Sequence, residues 1–300
     1  MVRSADSKSV QPFAIAGLKA IADMVWPPSC PLCNRSTPSV EGFAAEFCRE
    51  CESDLSLSEA STRLACRRCG VPSQTSLLRA RTMRTGQNSG DSEFCERAPE
   101  SRPDLANITT GPPEKCIRCR NQDFEFETIT PLWIYEHRVR DAIVAAKSAH
   151  QTALSDALGR RLGKRVRTKC AKTRLFDLVT YIPSHFTRQF ARGGNGNQVI
   201  AQAVARTLKT PCRLPLRISR RIRKQAWLGD RARIENVSGA FSVKKSYAWK
   251  RSDAISGKRI LLVDDVLTTG ATANEVARVL LAAGARGVSL AVVARAIRSV

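Results

Sequence analysis

At 300 residues and 43% hydrophobic content the chain can bury the core of one large domain or two modest ones, and no apolar run approaches the roughly 20 residues that span a bilayer, so membrane insertion is not expected. The formal net charge of +22 is unevenly placed: residues 1–130 carry 16 Lys and Arg against 17 Asp and Glu, residues 131–300 carry 33 against 10. Such a basic half attracts phosphorylated small molecules and, without sequence preference, nucleic acid, although scattered arginines serve equally well as a solubilising surface.

Residues 1–12 are polar and expected to fray, and 13–25 have the mild amphipathy of a short helix. Lys19 and Asp23 interrupt that stretch and no cleavage site follows, so it does not read as a secretory signal and the chain reads as cytoplasmic. Four CxxC pairs come next: Cys30 and Cys33, Cys48 and Cys51, Cys66 and Cys69, Cys116 and Cys119. A two-residue gap lets both sulfurs of a pair face one metal, and two pairs complete a closed tetrahedral thiolate site. Two structural zinc ions are therefore expected, in a region too poor in apolar residues to fold on burial alone. Sequential and crossed pairing both remain open, the sequential one closing the shorter first loop. Residues 73–113, rich in Ser, Thr, Arg, Pro and Gly, read as a disordered insertion with an unligated Cys95 inside it. Cys170 and Cys212 lack partners at metal spacing and read as buried small hydrophobes.

From residue 129 the pattern alternates between strands and helices. Strands are expected at 130–135, 177–182, 259–263 and 288–293, and helices at 139–166, 198–208 and 273–283. The alternation predicts an α/β fold with a mostly parallel sheet and helices on both faces. In such sheets ligands sit at the carboxyl ends of strands. The segment LLVDDVLTTGAT, 261–272, occupies that position: an apolar strand, two aspartates, a small polar loop, then a helix start. A helix N-terminus supplies convergent N–H donors and a favourable dipole for phosphate. Thr268, Thr269 and Thr272 add hydroxyls, and Gly270 allows close backbone approach. Asp264 and Asp265 repel phosphate but suit sugar hydroxyls, or a metal that accompanies the phosphates. Phosphate donors beside sugar-binding carboxylates point to a phosphorylated sugar.

Three further features line up in order along the chain. The segment VDDVLTTGAT looks like a phosphoribosyl pyrophosphate (PRPP) binding motif; Gln225, Leu228, Arg233, Asn236, Gly239, Ala240 and Phe241 follow the pattern Q-x-x-L-x-x-x-x-R-x-x-N-x-x-G-A-F; and Pro183, His185, Arg188, Arg192 and Gly193 match P-x-H-x-x-R-x-x-x-R-G. Together with the cysteine pairs they make the chain resemble the ComF (ComFC-like) family, in which a double zinc ribbon precedes a type I phosphoribosyltransferase domain. The resemblance implies a Rossmann-type sheet over 129–300, a double zinc ribbon over 26–128, and a tail with a short helix over 1–25. It implies PRPP binding by Asp264, Asp265, Val266, Leu267, Thr268, Thr269, Gly270, Ala271 and Thr272, with Mg2+ accompanying the PRPP. Pro183, Ser184, His185, Arg188 and Arg192 become candidates for pyrophosphate contact, although Arg188 and Arg192 fit a solvated surface as well, and Lys147 corresponds to a lysine of the family's helix. No catalytic residue is assigned. The sequence departs from the family where Tyr181 replaces a proline and where Arg192–Gly193–Gly194–Asn195–Gly196–Asn197–Gln198 is longer and lacks an aromatic residue. The function implied is a PRPP-binding, phosphoribosyltransferase-like protein of DNA uptake or nucleotide metabolism. The other reading is a non-catalytic, single-stranded DNA-binding competence factor on a retained PRPP scaffold, with a competence helicase as partner.

Overall fold

The apolar runs of the second half become the centre of the fold. A computed structural model describes residues 29–36, 46–73, 115–169, 176–183, 195–220, 230–244 and 254–297. Two compact units, residues 1–52 and 53–300, make up the chain. Helix α1 spans Arg49–Thr62. There follow β1 (Ile129–Ile134), α2 (His137–Ala146), a 3-10 turn (Ala149–Gln151), α3 (Thr152–Lys169), β2 (Leu178–Tyr181) and α4 (Gly196–Leu208). Then come β3 (Leu216–Ile218), α5 (Asp230–Val237), β4 (Phe241–Val243), β5 (Arg259–Leu267), α6 (Ala271–Ala282) and β6 (Gly287–Arg295).

Strands β1, β6, β5 and β2 lie in that order, and every pairing among them is parallel. The central pair explains its own sequence. GVSLAVVAR in β6 and the start of RILLVDDVL in β5 are buried on both sides, so they read as continuous apolar runs rather than as alternation. Pro131 lies within β1, which among the described residues pairs with β6 on one side only, and at a sheet edge the missing N–H costs no ladder bond. Ile260, Leu262, Val288, Leu290 and Val292 face the cluster built with Ala273, Val276, Ala277 and Leu280 of α6. By strand alternation Leu261, Val263, Ala291 and Val293 face the other way, where α3 and α4 pack. The expected parallel α/β sheet is what the structure shows.

Helices α3 and α4 approach closely enough to require glycine. A Cβ on Gly159 would lie 2.5 Å from the Ile200 carbonyl oxygen, and one on Gly163 would lie 2.7 Å from Thr207 Cβ. Three differences from the sequence reading have physical causes. The helix expected over 139–166 is two helices, broken where Ser148 turns extended (φ −88, ψ 144). Each buries an apolar face, so the apolar periodicity runs across the break without marking it. Strand β5 continues past the two aspartates to Leu267, because β6 keeps pairing with it (Asp264 with Val292, Leu267 with Arg295) after β2 has stopped at Val263. The antiparallel pair β3–β4 is only three residues per strand, too short for a periodic signal. The expected helix at 13–25 and Cys95 and Cys170 lie outside the described residues, as does the insertion apart from Ser73; Cys212 is half-buried. Among the described residues no helix is long and apolar enough to cross a membrane.

Candidate functional site

The eight paired cysteines assemble sequentially, with Cys30, Cys33, Cys48 and Cys51 in one group and Cys66, Cys69, Cys116 and Cys119 in the other. In each group the four sulfurs lie within 4.8 Å of one another. Zinc bound at about 2.3 Å by four tetrahedral sulfurs requires neighbouring sulfurs about 3.8 Å apart. The separations found are 3.5 Å for Cys33 and Cys48, 3.6 Å for Cys69 and Cys116, 3.7 Å for Cys116 and Cys119, and 4.0 Å for Cys66 and Cys119. The residues therefore fit structural zinc in both groups. Crowding splits the thiols electrostatically: the hydrogen bond with Cys69 draws Cys66 down to about 4, the same bond and then burial push Cys69 up, and burial first of all pushes Cys119 to about 11. Four sulfurs this close cannot all ionise without a cation between them.

The second group is built into the sheet unit. Ile129 donates its N–H to the Arg67 carbonyl (2.8 Å), Glu127 to Val288 (2.7 Å), and Leu290 to Thr128 (2.8 Å). Arg68 reaches the carbonyls of Phe124 (2.5 Å), Phe126 and Glu127 (3.0 Å). Phe124 stacks on Phe126 with ring centroids 4.8 Å apart, and a Cβ on Gly270 would meet the Phe124 ring at 3.3 Å. Gly270 has a φ of +88, so both its backbone shape and its close neighbour require a missing side chain.

At the end of β5 the two aspartates have distinct partners. Asp265 forms an ion pair with Lys147 at 2.8 Å, and Asn197 donates to Asp264 Oδ1 at 2.9 Å. Asp264 Oδ1 also accepts the Asp265 N–H (3.0 Å), and Asp265 Oδ1 accepts the Val266 N–H (2.7 Å). Part of Asp264 remains exposed, but its carboxyl is surrounded: burial, and next the Asp265 charge, push it up to about 8. Burial alone would lower Lys147; Asp265, and behind it Asp264 and Tyr135, outweigh that and hold the ammonium above its ordinary range. Lys147 reaches the pair because α2 ends there, so the helix break has a consequence for the site. Asn197 reaches it because Gly196 lets α4 start against α2: a Cβ on Gly196 would lie 2.6 Å from the Ala146 carbonyl oxygen. Asn195 caps α4 by accepting the Gln198 N–H.

Beyond Leu267 the loop turns sharply at Thr268, Thr269 and Gly270, and α6 begins with no side-chain cap at Gly270. Thr269 Oγ1 accepts the Ala271 N–H at 3.4 Å. Helix α6 also holds the expected Gly239 segment. Glu275 accepts the Gly239 N–H (2.8 Å) and pairs with Arg278 (2.8 Å); Arg278 first, against the opposing pull of burial, keeps the Glu275 carboxyl below its usual range. Ala240 and Phe241 are buried. Among the sequence-expected residues, 264–272 form one continuous segment from the end of β5 into the start of α6, and Pro183 is buried one residue beyond Ile182, whose N–H bonds Val263. Ser184, His185, Arg188, Arg192, Gly193, Gln225 and Leu228 lie outside the described residues, as does the side chain of Arg233. Asn197 carries a faint signal in the sequence, the Asn-Gly-Asn run before a helical pattern, and that run does not by itself mark a site residue.

A parallel sheet carrying two carboxylates and a threonine-rich loop into a helix start, joined to a pair of four-cysteine groups, defines a zinc-ribbon protein with a phosphoribosyl transferase domain. The phosphoribosyl transferase domain model matches residues 195–299, and the double zinc ribbon domain model matches residues 21–97. Competence protein F of Haemophilus influenzae is 27% identical over 188 residues, covering 61% of this chain and 79% of that protein. DNA utilization protein YhgH of Escherichia coli K12 is 26% identical over 180 residues, covering 58% and 75%. The allosteric regulatory enzyme of purine biosynthesis, a solved structure, is 22% identical with a TM-score of 0.30, over 46% of this chain and 26% of its own. The two family models and the curated relatives bear out the resemblance: the chain carries a double zinc ribbon and a phosphoribosyl transferase domain, and it is similar to competence protein F and YhgH.

Proposed function

We propose that the protein binds PRPP together with Mg2+ at the end of β5, as a phosphoribosyltransferase-like component of DNA utilization or uptake. The observation that carries the reading is the paired carboxylate of Asp264 and Asp265, set one strand-end away from an uncapped helix start at Gly270. The two carboxylates take the ribose 2′ and 3′ hydroxyls, directly or through the cation. The loop from Thr268 to Thr272 takes the 5′-phosphate, its N–H groups and hydroxyls converging at the positive end of α6. Bound Mg2+ supplies charge neutralisation for the pyrophosphate. Lys147 and Asn197 keep the carboxylates apart and oriented before ligand arrives. The part in DNA utilization rests on the names of the curated relatives and on the charge.

Calorimetry with PRPP and Mg2+ tests this. The wild type should bind, and Asp264→Asn/Asp265→Asn should weaken binding by about 100-fold, or roughly 2.7 kcal/mol. A wild-type protein that gives no binding heat and no competition ends the PRPP reading.

The second reading, single-stranded DNA binding on a retained PRPP scaffold, is favoured by the basic half of the chain and by exposed cations such as Arg140, Arg167, Lys209 and Arg213. With aromatic residues at only 6%, stacking platforms are few and the affinity must be electrostatic. Affinity for an oligonucleotide should then fall steeply with salt; salt-independent binding would contradict it.

A further inference from the structure

Arg295, the last residue of β6, donates to four backbone carbonyls that belong to three different parts of the unit. Its Nε bonds Cys69 at 2.8 Å, and its Nη1 bonds Leu267 at 3.0 Å, Thr268 at 2.5 Å and Ala296 at 2.5 Å. Cys69 is a ligand of the second four-cysteine group, and Leu267 and Thr268 open the phosphate loop. One guanidinium therefore joins the metal group to the loop. The peptide plane gives the bond a direction. In a trans peptide the N–H points opposite to the C=O, so fixing the carbonyls of Leu267 and Thr268 on the guanidinium turns the N–H groups of Thr268 and Thr269 to the opposite side. A guanidinium suits this task, because it is planar, permanently charged and presents several donors in a fixed fork.

The Cys69 carbonyl is itself fixed by the zinc turn. Gly70 donates to the Cys66 carbonyl (2.8 Å), and Cys66 donates to Val71 (2.9 Å). Gly70 adopts a φ of +73, and a Cβ there would press on Ile129 at 3.0 Å, with Arg295 in ordinary contact at 3.5 Å. Phe124 packs under Gly270 and Asn274 accepts the Glu125 N–H at 2.5 Å, so the same zinc-bound segment also braces the start of α6.

We propose that Arg295 is a positioning residue that makes the shape of the phosphate loop depend on metal at Cys66, Cys69, Cys116 and Cys119. Resting on the PRPP reading, the proposal adds that this zinc, and not the one at Cys30, Cys33, Cys48 and Cys51, is thermodynamically linked to PRPP. Linkage is reciprocal: if the metal orders the loop for ligand, ligand must retain the metal by the same factor.

Two measurements on the full-length zinc-loaded protein test it. The first is amide hydrogen exchange across 268–273 in wild type and in Arg295→Met, with zinc content and melting temperature recorded alongside. Exchange there should be about tenfold faster in the variant while both zincs remain, and Arg295→Lys, which keeps the charge but loses the fork, should fall between them. Unchanged exchange in a folded, zinc-replete Arg295→Met overturns the proposal. The second needs no variant: a chelating chromophore withdraws zinc with and without PRPP and Mg2+. One of the two zincs should leave about tenfold more slowly when PRPP is bound, and Arg295→Met should lose that protection. Equal release in a sample whose PRPP binding has been confirmed by calorimetry also overturns it. If calorimetry shows no PRPP binding, the PRPP reading fails by itself, and the exchange measurement still decides the role of Arg295.

Discussion

Asp264 sits where burial favours the neutral form of its carboxyl. Burial, and next the Asp265 charge, raise its folded-state pKa to about 8 from an ordinary value of 3.8, against the opposing hydrogen bond from Asn197. A pKa raised in the folded state stabilises the fold fully below the unfolded value, and that contribution is lost as pH rises through the folded value. The ligand-free protein should therefore lose stability between about pH 4 and pH 8 on account of this residue. Asp264→Asn, which keeps the oxygen that accepts from Asn197, should not; its melting temperature should gain steadily on that of wild type as pH rises from about 4 towards 8. Parallel melting curves for the two proteins across that range would show that Asp264 carries no such strain. The two aspartates were legible in the sequence because a buried strand followed by adjacent carboxylates and a threonine-glycine loop has few other uses. Lys147 was legible only through the family resemblance. Asn197 and Arg295 were not legible as site residues, because their roles depend on where α4 and β6 end relative to β5, which no local pattern records.

At the scale of elements, the apolar runs of β5 and β6 and the periodicity of α4 and α6 set the sheet and its cover, and each element is found where its pattern places it. What the patterns missed were joints: the break between α2 and α3, the extra length of β5, and the short β3–β4 pair. Each is decided by a tertiary partner rather than by propensity. Gly196 is such a joint. Gly196→Ala would force its Cβ to within 2.6 Å of the Ala146 carbonyl, so the start of α4 must shift and carry Asn197 away from Asp264. The expected result is a loss of about 1–3 kcal/mol in urea unfolding, together with weaker PRPP binding. A protein of unchanged stability and affinity would mean that the helix start relaxes freely.

For the whole molecule, metal should decide whether the N-terminal unit has a structure. Among its described residues Cys30, Phe47 and Cys51 are the buried hydrophobic ones, and two of those three are metal ligands. Among those described residues one phenylalanine is the sole buried apolar side chain that is not a cysteine, and such a core cannot offset the chain entropy of residues 29–36 and 46–52, so the cysteine group supplies their folding free energy. Metal analysis should return two zincs per chain, and stripping them should make residues 29–52 protease-sensitive while the sheet, with its own large core, persists. Clearly fewer than two zincs in the purified protein would refute the two-site assignment.

The contacts of Arg295 also govern the order in which this protein takes shape during synthesis. The four sulfurs of the second group are all in hand once Cys119 has emerged, yet the carbonyl of Cys69 waits for a partner 226 residues further along the chain. The N–H of Glu127 likewise waits for Val288, and the carbonyl of Thr128 for Leu290. A nascent chain thus completes its metal-binding turns early and carries them unanchored until β6 has left the ribosome. Domains that form in chain order can be checked one at a time; here the last strand docks the earlier module and secures the phosphate loop in a single late step.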